Sequence, residues 1–251
     1  MQLFDRCSKT IHAQAPREVV VLEITLSSDA IAKLIAPSLK EHYVTAKILS
    51  AWGHGRLVAF LAKKLPLTKR GRSGDIGEIL ATEYVNGGNL PYQIPINRLR
   101  WKDSREQSMR GEDLVGFSFQ SELIGFLKGE AKSRRSLAKD AVAAARQALE
   151  KNDGLPFAHT LAFIAERLYE ANQDDFASKI AHYVEEEYPP APTQVAHFIF
   201  TFSGNNPGEL LLADAQLAKE PIKYFAAGLH VKEHEQVISA IFEETIGGRK
   251  S

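Results

Sequence analysis

Two short apolar segments in the middle of the chain carry charged residues at their ends. Asp113 precedes the apolar run at residues 114–117, and Glu130 and Lys132 follow the run at residues 123–127. If each run is a strand, residues two apart project from the same face, so Glu130 and Lys132 point together. Antiparallel pairing through a turn at residues 118–122 then brings Asp113 beside Glu130. The spacing therefore predicts two carboxylates and one ammonium on one face of a hairpin.

This set of groups is suited to a divalent cation. Two carboxylates that lie close together cannot both stay ionised at low cost unless a cation is near. Oxygen ligands favour Mg²⁺, with Mn²⁺ as an alternative. The lysine can position or activate a water, or stabilise negative charge that develops during phosphate-ester hydrolysis. We therefore expect Asp113 and Glu130 to bind the metal and Lys132 to act on the reacting groups.

Two simpler interpretations of these residues stay open. An acid and a lysine two residues apart at a strand end also occur as an ordinary solvated ion pair. Glu112 is an alternative to Asp113 for the first acid. We favour Asp113 because it directly precedes the apolar run.

The D…E-x-K pattern resembles the motif of the PD-(D/E)xK nuclease superfamily. The resemblance implies a restriction-endonuclease-like α/β fold, in which helices flank a mixed sheet and an earlier helix supplies a further acid. Glu78 lies in a suitable helix at residues 74–85, and a strong helix is predicted after the hairpin at residues 136–152. By this resemblance Glu78 joins Asp113 and Glu130 in the catalytic site as a metal ligand, with the backbone carbonyl of Ala131. Taken alone, Glu78 is equally an acid on a helix surface.

The chain also resembles the nuclease subunits of the Hachiman anti-phage defence system, the HamA family. The resemblance rests on the sequences GE at 77–78, RGEDL at 110–114, LKGEAKS at 127–133 and AGLHV at 227–231. It implies a bacterial defence effector, a Mg²⁺-dependent DNase that a helicase subunit restrains until DNA damage or invasion releases it. The alternative is a non-catalytic interaction subunit of a helicase complex, in which the same charged residues form a structural network.

The charge of the chain is balanced overall but unevenly distributed. Lys+Arg and Asp+Glu both number 31, which argues against a general polyanion-binding protein. Residues 63–139 nevertheless hold 15 of the basic residues and only 9 of the acidic ones. Lys69, Arg70 and Arg72 lie in a predicted basic loop at residues 67–74, which is either a linker or a phosphate contact. Arg134 and Arg135 are likewise either phosphate ligands or solvated side chains.

Cysteine usage and hydropathy favour a cytoplasmic protein without membrane contact. Cys7 is the single cysteine, so no intrachain disulfide can form. The sequence has no apolar run of about 18 residues and no apolar segment of the signal-peptide type at its N-terminus. His54 lies between two glycines and is expected in a turn, because no other His or Cys lies at metal-ligand spacing.

The remaining segments alternate between strand and helix patterns, which indicates an α/β or α+β fold. Strands are predicted at residues 18–26, 98–102, 194–202 and 222–231. Helices are predicted at residues 28–34, where Pro37 ends the segment, and at 43–64, 155–172, 174–188 and 232–245, with a break near 53–55. Residues 1–66 are expected to form a strand–helix region packed on a nuclease core at residues 67–251, together making one compact unit.

Overall fold

A mixed six-stranded sheet forms the centre of the computed structural model, which describes residues 2–13, 16–107, 111–120 and 123–247. The strands are β1 Ser8–Ala13, β2 Arg17–Glu23, β3 Leu114–Ser118, β4 Gly125–Arg134, β5 Val195–Ser203 and β6 Lys223–His230. Their spatial order is β1-β2-β6-β5-β4-β3. The four inner strands run parallel, and each edge strand pairs antiparallel with its neighbour. This confirms the predicted α/β class and is compatible with a restriction-endonuclease-like fold.

Helices cover both faces of the sheet. They are α1 Ser28–Tyr43, α2 Ala46–Ala51, α3 His54–Lys64, α4 Lys69–Tyr84, α5 Lys139–Glu150, α6 Ala158–Glu170, α7 Asp174–His182, α8 Gly208–Ala215 and α9 His234–Gly247. On one face α1, α4 and α9 pack over a core in which Tyr84 stacks on Phe198 with ring centroids 5.9 Å apart. On the other face α6 and α7 pack over the β3–β4 hairpin, and α5 and α8 cover the middle of the sheet. Within the described residues, no helix combines the length and hydropathy needed to cross a membrane.

The β3–β4 hairpin has the pairing predicted from the two apolar runs. Its register extends from Leu114 opposite Gly129 to Ser118 opposite Gly125. Part of the predicted turn, residues 121–122, lies outside the described residues, as do Arg110 of the RGEDL sequence and the tail at 248–251. The predicted helix at 43–64 is present as α2 and α3, with the break at residues 52–53. His54 begins α3, so the prediction that it lies in a turn was wrong. The predicted boundary at residue 66 stays a prediction.

The prediction that Pro37 ends the first helix was wrong. α1 continues through Pro37 to Tyr43. A proline inside a helix removes one hydrogen bond, but here Ile35 and Leu39 on the buried face hold the helix against the core. Tertiary packing therefore outweighs the local penalty.

The prediction of a basic loop at residues 67–74 was also wrong. α4 begins at Lys69, and the Thr68 hydroxyl caps it by accepting a hydrogen bond from Gly71 N at 3.1 Å. The glycines suggested a loop because they favour coil. One of them serves packing instead: a Cβ added at Gly77 would lie 3.2 Å from the Cβ of Ser133 on β4. Glycine at 77 thus lets α4 approach the strand that carries Glu130.

The predicted strand at residues 98–102 is a short 3₁₀ helix, Arg98–Trp101. The alternation of basic and apolar residues suggested an exposed basic face, yet Arg98 and Lys102 are buried. Both lie beside acids contributed by α4, so the charge of this segment faces inward. The sequence patterns also missed β1, whose side chains are mostly exposed, and α8.

Candidate active site

The end of the hairpin brings three of the predicted residues together. Since Leu114 pairs with Gly129, the next position outward places Asp113 opposite Glu130. Asp113 Oδ2 accepts a hydrogen bond from Ala131 N at 3.0 Å, which ties the loop before β3 to β4. Lys132 Nζ donates to Oε1 of Glu130. The side chains of Glu130 and Lys132 are only 13% and 16% exposed, so the charges lie in a cleft rather than on open surface.

The two hairpin carboxyls perturb one another electrostatically. Burial, and then the negative charge of Asp113, raise the pKa of Glu130 to about 7 even though Lys132 acts in the opposite direction. Burial also raises the pKa of Asp113. A hydrogen bond between the two side chains lowers the pKa of Asp113 and raises that of Glu130, as expected when Glu130 is the donor. The pair therefore holds a proton near neutral pH in the absence of a cation.

Glu78 approaches the same end of the hairpin from α4. It is partly buried, and it shares a small cavity with Asp113 and Arg98. The pKa of Glu78 is raised well above its usual range. Burial is the largest cause, and the negative charges of Asp113 and Asp75 add to it. The geometry thus places a third carboxylate within electrostatic reach of Asp113.

A buried network behind Glu78 was not anticipated from the sequence. Lys102 Nζ lies 2.8 Å from Oδ1 of Asp75, and the two side chains are 4% and 5% exposed. Tyr43 donates its hydroxyl hydrogen to Oδ2 of Asp75. Arg98 and Lys102 both favour the ionised form of Glu78. The spacing of Asp75 and Glu78, three apart on one helix, is the signal that could have identified Asp75.

Glu112, the alternative first acid, has a different role. Its Oε1 accepts from Phe157 N at 2.8 Å and its Oε2 from the Thr160 hydroxyl at 2.7 Å. These bonds cap the first turn of α6. Lys128, 1% exposed, lies 4.0 Å from Glu112 and donates to the carbonyls of Lys151 and Leu155. Glu112 therefore anchors α6, whereas Asp113 faces Glu130.

The donor set fits a hard divalent cation. Asp113 and Glu130 offer carboxylate oxygens whose mutual repulsion a cation would relieve, and Glu78 and the Ala131 carbonyl add further oxygen donors. In the described part of the chain, no group of three or more His, Cys, Asp or Glu side chains is already arranged as a metal cage. Glu130 is instead engaged by Lys132. Binding of a cation would thus require the Lys132–Glu130 contact to rearrange.

Two comparisons with known proteins give matches to this chain. The model of the HamA family matches residues 2–245 of the chain. The Hachiman protein HamA of Bacillus cereus is 30% identical over 115 residues. That alignment spans 46% of this chain and 40% of the relative's length.

Proposed function

This chain belongs to the HamA family, and from that premise we propose that it is a metal-dependent DNA nuclease of a Hachiman-type anti-phage defence system. The observation that carries the proposal is the convergence of Asp113, Glu130 and Lys132 at the end of one hairpin, with Glu78 beside them. Perturbed carboxyls in a cleft next to a lysine are typical of hydrolytic sites. The name of the Bacillus cereus relative supports the assignment to defence.

Each residue has a distinct task in this proposal. Asp113 and Glu130 hold Mg²⁺ or Mn²⁺, with Glu78 and the Ala131 carbonyl as further ligands. When bound, the metal supplies Lewis acidity toward the scissile phosphate and the attacking water. Lys132 Nζ, released from Glu130, donates a hydrogen bond to the water or to a phosphate oxygen and stabilises the charge that develops there. Ala131 N fixes the orientation of Asp113.

The biological setting extends the same proposal. The substrate is DNA, and a helicase subunit of the defence system restrains the nuclease until it is needed. The single cysteine is consistent with work in a reducing cytoplasm. The resemblance to the Hachiman nuclease subunits supports these points.

Cleavage of plasmid DNA tests the nuclease proposal directly. Wild-type protein should cut in Mg²⁺ and not in EDTA. Glu130→Gln and Lys132→Ala should each lower the rate at least about 100-fold, since both remove charge stabilisation in the transition state. Glu186→Gln and Lys33→Ala change exposed residues of the same types and should cut normally. Undiminished cutting by both active-site variants would refute the assignment.

A second candidate function rests on the contact between Lys132 and Glu130. In that alternative the charged residues form a structural network, and the chain is a non-catalytic interaction subunit of a helicase complex. Calorimetric titration with Mg²⁺ or Mn²⁺ separates the two. A nuclease should bind the ion in a manner that Asp113→Asn abolishes, whereas an interaction subunit should show no carboxylate-dependent binding.

A further inference from the structure

A groove lies beyond the candidate active site, between three segments of the chain. Its walls are the first turns of α4, residues 133–135 at the end of β4, and the first turns of α9. Its volume is about 690 Å³, compared with about 250 Å³ for the cleft beside Glu130. The groove is thus large enough for an extended ligand rather than a single small ion.

The side chains that line this groove are strongly basic. Its lining includes Lys69, Arg70, Arg72, Arg134 and Arg135, with one acidic residue, Glu235. Lys69, Arg70 and Arg134 are exposed, and Arg134 Nη1 also donates to the Ser133 carbonyl at 2.8 Å. Arg135 pairs with Glu235 at 3.3 Å, and both of those side chains are largely exposed, so that pair is weakly held. The groove therefore presents a surplus of positive charge.

The position of these cations on α4 is unfavourable for the helix itself. Lys69 and Arg70 occupy its first two positions, where the helix dipole already carries positive charge. The nearby acid, Glu106, is engaged with Leu67 N at 2.7 Å and with the Thr68 hydroxyl at 2.6 Å. The Glu106 carboxylate keeps its charge in these contacts and offsets part of the repulsion at the start of α4, and an anion in the groove would offset the remainder.

The floor of the groove adds polar groups. The Ser73 hydroxyl lies 2.8 Å from that of Ser133, which lies 3.0 Å from Nε2 of His234. Burial lowers the pKa of His234 to about 4, so the imidazole is neutral at physiological pH. Ser133 and His234 are buried, so of these groups only the half-buried Ser73 lies near the groove surface, and none of them adds a charge below the cationic rim.

The groove and the candidate active site are built on the same two elements, β4 and α4. Arg134 lies two residues after Lys132 on β4 and therefore projects from the same face. Ser73 and Glu78 lie on α4, separated by about 7.5 Å of helix rise. A polymer held at the site and extending past the end of β4 would therefore reach Arg134 at the rim of the groove.

From this arrangement we propose that the groove binds the phosphate backbone of DNA flanking the scissile phosphate. The inference rests on the proposed nuclease function and adds the surface that holds the substrate. The contacts involve charge and backbone rather than base edges, so binding should be strongly salt-dependent and largely independent of sequence.

Fluorescence anisotropy with a fluorescein-labelled duplex of about 20 base pairs tests the proposal. The full chain carries Glu130→Gln and is kept in EDTA, so no cleavage interferes. Arg70→Glu with Arg134→Glu should weaken binding at least about 10-fold and reduce the salt slope by about 2, as expected for two lost phosphate contacts. Lys33→Glu with Lys47→Glu is the control, since both residues are exposed and lie outside the groove lining.

Two results would overturn the groove assignment. One is equal weakening by the control pair, which would indicate general electrostatics. The other is unchanged affinity of the groove pair, which would leave an acidic protein segment as the better occupant. Thermal melts of wild type, the Glu130→Gln chain, the groove pair and the control pair establish that each protein is folded. If the groove pair binds normally while wild-type cutting depends on Glu130, the groove assignment fails and the nuclease stands. If DNA binding depends on the groove but wild-type protein does not cut in Mg²⁺, the nuclease assignment fails and the groove assignment stands.

Discussion

At the scale of single residues, the molecule separates neighbouring acids by function. Glu112 and Asp113 are adjacent in sequence, yet Glu112 caps α6 and Asp113 faces Glu130. Residue type alone does not distinguish them. The apolar run that follows favoured Asp113, and Asp113 is the residue that the hairpin register places opposite Glu130. Asp75 lies three residues before Glu78 on one helix, but Lys102 had no comparable signal, because its ion pair with Asp75 joins residues 27 positions apart in the chain.

The stability of the fold should depend on pH through Glu130. Its pKa is about 7 in the folded chain and near its ordinary value of 4.5 when unfolded. The folded state therefore binds the proton more tightly, and stability should fall as pH rises from about 4.5 through 7. Glu130→Gln removes this penalty and should stabilise the metal-free protein at pH 8 by about 1–3 kcal/mol, with a smaller gain at pH 5.

Urea unfolding in EDTA at the two pH values measures this effect. Glu186→Gln should leave both midpoints unchanged, since that side chain is exposed. If Glu130→Gln were less stable than wild type at pH 8, the contact with Lys132 would outweigh the repulsion from Asp113.

At the scale of elements, the sequence predicted those whose own pattern is strong. The hairpin strands, the interrupted helix before residue 64 and the later helices follow from apolar runs and helix-forming residues. The errors arose where tertiary contacts override local preference. α1 continues through Pro37, Gly77 permits close packing of α4 on β4, and Arg98 in the segment at 98–101 lies beside buried acids. β1 was missed because an exposed edge strand lacks an apolar face.

Pro37 offers a test of this interpretation of α1. The residue is exposed, and as proline it cannot donate the hydrogen bond that the preceding turn would accept. Pro37→Ala should restore that bond and stabilise the protein by about 1 kcal/mol, after allowance for the greater flexibility of the unfolded chain. Denaturant unfolding measures the change, and plasmid cleavage should be unaffected. A loss of stability would instead indicate that α1 needs the geometry that the proline imposes.

At the scale of the whole molecule, charge and architecture coincide. Residues 63–139, which carry the excess of basic residues, include α4, the hairpin and the segment after β4. These elements surround the candidate site and line part of the groove. The net charge of zero conceals this asymmetry. The sequence predicted the excess, but the groove was not predictable, because it depends on α9 reaching the end of β4 from about 100 residues later in the chain.

Global stability should report occupancy of the proposed metal site. A ligand that binds only the folded state stabilises it by RT ln(1 + [L]/Kd). At 10 mM Mg²⁺ and a Kd of about 1 mM this amounts to about 1.4 kcal/mol, or a rise in Tm of about 3–6 °C. Differential scanning fluorimetry should show the rise for wild type and not for Asp113→Asn. An equal rise in both proteins would indicate a general ionic effect.

The close approach of α4 to β4 at Gly77 has a consequence for how mutants of this protein are interpreted. A Cβ there would lie 3.2 Å from the Cβ of Ser133, so a side chain at 77 requires Ser133 or α4 to shift by a few tenths of an ångström, and a shift of α4 moves Glu78 with it. A substitution at a position with no chemistry of its own could thus imitate the loss of a catalytic acid. Activity measurements alone would not separate the two, whereas Ser133→Gly, which removes the Cβ that the new side chain meets, should restore activity to a Gly77 variant and not to a Glu78 variant.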